Sequence, residues 1–82
     1  MKLKSNVAIS ETGFVFDPTT GDSYSLNQIG TEIIELMKQD KTEEFIKDVL
    51  LEKYEIDKSN LERYFFDFVT MLREFQLLEE NE

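Results

Sequence analysis

Up to Asn27 the apolar residues fall in short runs or alternate with polar ones. Beyond Asn27 they recur three and four positions apart. A period near two marks strands and a period near 3.6 marks helices, so the chain divides at Asn27 into a strand-forming part and a helix-forming part. Leu3, Val7 and Ile9 share one alternating face and predict a first strand over residues 3–9, with Lys2 and Lys4 discouraging pairing on its outer side. Ser10-Glu11-Thr12-Gly13 predicts a turn, and Phe14-Val15-Phe16 a second, strongly apolar strand. Asp17-Pro18-Thr19-Thr20-Gly21-Asp22 is loop chemistry, because Pro18 suits the second position of a turn and Gly21 can take positive φ. In the third strand, 23–26, Tyr24 and Leu26 alternate with Ser23 and Ser25. Three short strands in series predict a meander with the second strand central.

Asn27 is a favoured N-cap for a first helix over residues 28–38, striped by Ile29, Ile33, Leu36 and Met37. Gly30 in its first turn costs about 1 kcal/mol relative to Ala, which points to close backbone packing there. Thr42 caps a second helix, with Glu43 and Glu44 where the helix dipole favours negative charge, and Phe45, Ile46, Val49, Leu50 and Tyr54 as its buried stripe. A third helix opens at Asp57 or Ser59, and Ser59 with Glu62 fits a capping box. Leu61, Phe65, Phe68, Leu72 and Phe75 form its core face; Tyr64 and Met71 widen the stripe on one flank and Val69 on the other. Phe66 falls on the polar side near Arg73, and the acidic residues 79–82 are expected to fray. The predicted fold class is α+β, a small winged-helix-like domain with a three-stranded antiparallel β meander followed by three α-helices, as a single domain over residues 1–82.

Composition narrows the function. A chain of 82 residues buries only about 60–65% of its unfolded surface, so a deep catalytic cavity is hard to build. It holds no Cys and no His, which excludes disulfides, Cys nucleophiles and Cys/His metal sites. No Ser has a His to activate it, and the pattern places no buried Lys. A non-enzyme without cofactor is expected. Eighteen acidic residues against nine basic give a net charge of -9, a field that repels a phosphate backbone. A DNA-binding winged helix would need a basic recognition helix, whereas the third helix sets Arg63 and Arg73 against Glu62, Asp67 and Glu74. No apolar run approaches membrane-spanning length, so the cytoplasm is the expected location. The four-three spacing of the third helix covers only about two heptads, short of a coiled coil, which leaves a monomer or weak dimer.

The candidate chemistry is in the third strand. No Lys, Arg, Glu or Pro lies between Ser23 and Asn27, so an edge strand here would carry nothing that blocks pairing with another chain. Short edges are also tolerated without any partner, and the residues alone favour that blander reading.

The joints of the chain resemble the family of pyrroloquinoline quinone synthesis protein D, PqqD. Its pattern of an aromatic or Leu in a strand, Leu-Asn, then a helix with Gly and paired apolar residues is met by Tyr24, Leu26-Asn27, Gly30, Ile33-Ile34 and Leu36-Met37. Thr42-Glu43-Glu44-Phe45-Ile46, Tyr54, and Phe65, Phe68, Leu72 and Leu77-Leu78 continue the match, which runs from about residue 5 to residue 78. Ile34 stands where the family often has Trp. Asp40-Lys41 stands where a Gly is common between the first two helices, and Gln76 replaces a Gly before the final apolar pair. The resemblance implies a peptide chaperone, or precursor-peptide recognition element, that is not itself an enzyme. Such a module holds the leader of a ribosomally made precursor peptide and presents it to a modifying enzyme on another chain, for example a radical SAM enzyme. It implies strand addition at Ser23, Tyr24, Ser25 and Leu26, with a groove wall on the third helix at Tyr64, Asp67, Phe68 and Met71. The alternative is a winged-helix-like protein–protein interaction or dimerisation module with no precursor peptide.

Overall fold

The computed structural model describes residues 2–79, so the predicted fraying of the last residues lies, for 80–82, outside the described residues. Its order is β1 (Ala8–Ile9), β2 (Phe14–Asp17), β3 (Asp22–Ser25), α1 (Gln28–Lys38), α2 (Glu43–Lys53) and α3 (Lys58–Glu74). The sheet is antiparallel in the order β1-β2-β3. The predicted meander, its central strand and all three helices are therefore present.

The first strand is shorter than predicted. Residues 5–6 turn, and Leu3 forms its bridge with Leu78 instead of with β2. The Lys4 amide donates to the Leu77 carbonyl at 2.9 Å, and the Glu79 amide donates to the Lys2 carbonyl at 2.7 Å. Leu3, Leu77 and Leu78 are buried by this clasp of the two ends of the fold. Alternation misread residues 3–9 because two separate extended pieces happen to keep the same apolar phase.

The caps decide where each helix begins. The Asn27 side chain accepts from the Gly30 amide and Thr42 from the Phe45 amide, as predicted. For α3 the cap is Asp57, which accepts from the Asn60 amide. The Ser59 capping box does not form, because helix has already begun at Lys58. Glu62 instead accepts from Lys47 Nζ of α2 at 2.7 Å.

Two helices end in the same way. The Lys41 amide bonds the Leu36 carbonyl and the Asp40 amide bonds Met37; the Leu77 amide bonds Leu72 and the Gln76 amide bonds Arg73. Both are Schellman closures, which require a left-handed residue just past the cap. That residue is Asp40 (φ 62°) in one and Gln76 (φ 59°) in the other. Gln76→Gly is therefore expected to raise stability by about 0.5–1 kcal/mol, since left-handed backbone is costly for a residue with Cβ. Urea unfolding midpoints of the two proteins check this.

The core is built from Val7, Val15, Ile33, Ile34, Met37, Ile46, Leu50, Leu61, Phe65, Phe68 and Leu72, closed by the Leu3–Leu77–Leu78 clasp. Ile34, left out of the α1 stripe, is fully buried. Two predicted core residues are not: Phe45 is 44% exposed and Phe75 is 40% exposed. Phe45 lies in the first turn of α2, where the Lys41 ammonium sits 5.1 Å from its ring centroid. Phe75 is the C-cap of α3 and turns toward the sheet.

Candidate groove between the third strand and the third helix

Register decides what the free edge of β3 offers. Phe14 pairs with Ser25, Val15 with Tyr24 and Phe16 with Ser23. The Leu26 amide donates to the Gly13 carbonyl at 2.8 Å. Backbone groups on an antiparallel strand point alternately to its two sides. Tyr24 and Leu26 therefore direct N–H and C=O toward β2, while Ser23 and Ser25 direct theirs to the free edge. Gly13 allows the strand end to close this way. Its φ is +89°, and a Cβ there would lie 2.6 Å from Thr31 Oγ1 and 2.9 Å from the Leu26 oxygen.

Side chains alternate as the backbone does. Tyr24 lies opposite Val15, which is 1% exposed, so this face of the sheet is the one that meets the helices. The Tyr24 ring stacks on Phe75 with centroids 4.5 Å apart and planes 12° from parallel. At the other end of the strand the Tyr64 hydroxyl donates to Asn27 Oδ1 at 3.2 Å. The same Asn27 oxygen accepts the Gly30 amide at 2.8 Å. These two contacts place α3 alongside β3, running in the opposite direction.

Between them lies the floor. A Cβ on Gly30 would be 3.0 Å from Phe68 Cε1 and 3.5 Å from Leu26 Cβ, which is the close packing that the glycine predicted. Tyr64 and Phe68 pack with centroids 6.2 Å apart. Phe68, 8% exposed, is floor, whereas Tyr64 and Met71 are half-buried and Asp67 is exposed. The eight candidate residues are thus divided between one strand edge and one helix face, which the Tyr24–Phe75 stack and the Tyr64–Asn27 hydrogen bond tie together. Partial desolvation, then the Asp22 and Asp17 carboxylates, hold the Tyr24 phenol above its ordinary 10.0.

Sequence reasoning missed two members of this site. Helical periodicity carries Phe75 to the core, but the helix stops at Glu74 and the ring stacks on Tyr24. The local pattern marks Asn27 only as a cap; its side-chain oxygen also accepts from the Tyr64 hydroxyl.

A cleft of about 320 Å³ lies elsewhere, between the start of α2 and the start of α3, lined in part by Glu43, Lys47, Lys58 and Glu62. Lys47 lies within 2.8 Å of Glu43 and 2.7 Å of Glu62. Its ammonium is held above the ordinary 10.5, chiefly by these two hydrogen bonds, and Lys47 holds Glu62 below the ordinary 4.5. Those charges satisfy one another and serve the α2–α3 contact. Among the described residues no helix is long and apolar enough to cross a membrane.

The family model described as coenzyme PQQ synthesis protein D (PqqD) matches residues 13–78. Among solved structures, "TbiB1 in Complex with the TbiA(beta) Leader Peptide" superposes with a TM-score of 0.90 at 27% identity, covering 100% of this chain and 99% of that one. "Lasso peptide synthetase B1 complexed with the leader peptide" superposes with a TM-score of 0.84 at 20% identity, covering 96% of each chain. Comparison with curated proteins gives no match.

Proposed function

The chain belongs to the PqqD family, and from that membership we propose that it is a non-catalytic module that binds the leader of a ribosomally made precursor peptide and presents it to a modifying enzyme on another chain. The observation that carries this reading is the edge of β3. Among the described residues the outward backbone donors and acceptors of Ser23 and Ser25 have no partner, and the strand lies beside α3 with Tyr24 stacked on Phe75. A peptide adding there as a fourth strand gains main-chain hydrogen bonds, and its alternate side chains drop between Tyr24 and α3. The solved neighbour at 27% identity is itself a complex with a leader peptide, which supports the same reading.

The site comprises Ser23, Tyr24, Ser25 and Leu26 on the strand side, with Tyr64, Asp67, Phe68 and Met71 on the helix side, and Phe75 closing the end beside Tyr24. Backbone bonds set register, and one or two apolar anchors over Phe68 and Met71 supply most of the selectivity. The module works in the cytoplasm, needs no cofactor, and has no use for nucleic acid.

Met71→Glu tests the helix side. Met71 is half-buried on the groove wall, whereas Leu61, Phe65 and Leu72 of the same helix are 1–2% exposed. The substitution puts an acid beside the apolar anchor and leaves the core intact. Titration calorimetry with the TbiA(beta) leader peptide, the ligand of the 27%-identical neighbour, should show affinity weakened about tenfold or more, with an unchanged circular dichroism spectrum. Equal affinity in a folded variant removes the helix wall from the site.

A further inference from the structure

The sheet has a second face, and β3 reaches both. Val15 and Asp17 of β2 are buried on the helix side, at 1% and 2% exposure. Phe14 and Phe16 project from the opposite side and are 52% and 44% exposed. Exposed aromatics on the central strand of a sheet are unusual, because the neighbouring strands normally shield them. Here the residue opposite Phe14 is Ser25, and the residue opposite Phe16 is Ser23. Both are too small to cover a ring, and on the other flank Phe16 has only Ala8.

The same two serines carry the outward backbone groups. A strand that pairs with β3 must therefore place a side chain next to Ser23 or Ser25 on this outer face, in alternation with those that enter the groove. Two strand spacings, about 9–10 Å in all, separate such a residue from β2. A large apolar side chain leaning inward over a serine can meet a phenylalanine ring leaning outward within ordinary aromatic contact range.

We propose that the bound leader is recognised on both faces of the sheet, and that its side chains pointing away from α3 include large apolar residues that lie over Ser23 and Ser25 against Phe16 and Phe14. This rests on strand addition at β3. It assigns a second specificity surface, continuous with the first through the sheet itself. The leader segment accordingly has apolar residues at both odd and even positions of its paired stretch, whereas a groove alone would select only every second one.

The test is fluorescence anisotropy with a fluorescein-labelled synthetic TbiA(beta) leader peptide, the ligand of the 27%-identical neighbour. The wild type, Phe14→Thr/Phe16→Thr and Ser25→Pro proteins are titrated in parallel. Threonine keeps strand propensity, and both positions are exposed, so the double variant is expected to fold; circular dichroism verifies this. The expected result is affinity at least tenfold weaker for Phe14→Thr/Phe16→Thr. The loss should largely vanish with a second peptide whose outward apolar residues are replaced by threonine. Affinity within twofold of wild type for the double variant, together with loss of binding in Ser25→Pro, overturns the outer-face contact and leaves strand addition standing. That result, combined with weaker capture of the modifying enzyme by the double variant, would assign the two rings to the enzyme instead. Affinity unaffected by Ser25→Pro overturns both.

Discussion

Ser25→Pro should abolish most leader binding while the domain stays folded. The Ser25 amide points away from β2, as fixed by the Leu26–Gly13 hydrogen bond and the Tyr24–Val15 register. Proline is tolerated on an edge strand when the missing N–H faced solvent. Its demand for extended backbone at the preceding residue is already met by Tyr24, which lies within β3. The ladder to β2 survives through Tyr24 and Leu26. An incoming strand, by contrast, loses a donor and meets the pyrrolidine ring. An unmade hydrogen bond at a desolvated position costs roughly 1–3 kcal/mol, a factor of about 5 to 150 in affinity before the steric block is counted. Ser25→Ala keeps the amide and should bind within about twofold of wild type. Equal loss in both would place the effect in the hydroxyl and not in the backbone.

Phe65→Ala should have the largest effect on stability. Phe65 is 2% exposed at the centre of the α3 core face, and the Lys47 ammonium caps its ring at 5.1 Å from the centroid. Truncating a buried phenylalanine costs about 3–5 kcal/mol. A domain of this size has only about 4–12 kcal/mol in total, so thermal unfolding should shift down by some 15–30 °C or lose its cooperative transition. The adjacent Phe66 is 70% exposed, and Phe66→Ala should change stability by no more than about 0.5 kcal/mol. Similar losses at the two positions would mean that the α3 face is misassigned.

How far the sequence carried depends on the range of the interaction. Asn27, Thr42 and the switch of period between them are local, because a cap and its helix are neighbours in the chain. They were legible for that reason. Asp57 and Ser59 both satisfy the local rule for a cap; the helix takes the earlier one, and Glu62 pairs with Lys47 of α2 instead of closing a box with Ser59. The Leu3–Leu78 clasp joins the two ends of the fold, and no pattern within residues 3–9 records it. The groove shows the same division. A strand free of charge and proline could be read directly, and so could the flank formed by Tyr64 and Met71. The direction of the Ser25 amide could not, since it depends on how β3 registers with β2. Phe75 escaped because periodicity continues on paper past the point where Gln76 turns left-handed and ends the helix.

The outward backbone groups of Ser23 and Ser25 are the centre of the functional reading, and residue-resolved amide hydrogen exchange observes them directly. Without peptide, both amides should exchange fast, as free edge groups do, whereas Tyr24 and Leu26 are slowed by their bonds to β2. With saturating leader peptide, Ser23 and Ser25 should slow by at least about tenfold, because each gains a partner on the added strand. A peptide that binds and leaves both serine amides exchanging at their free rates would contradict strand addition at β3.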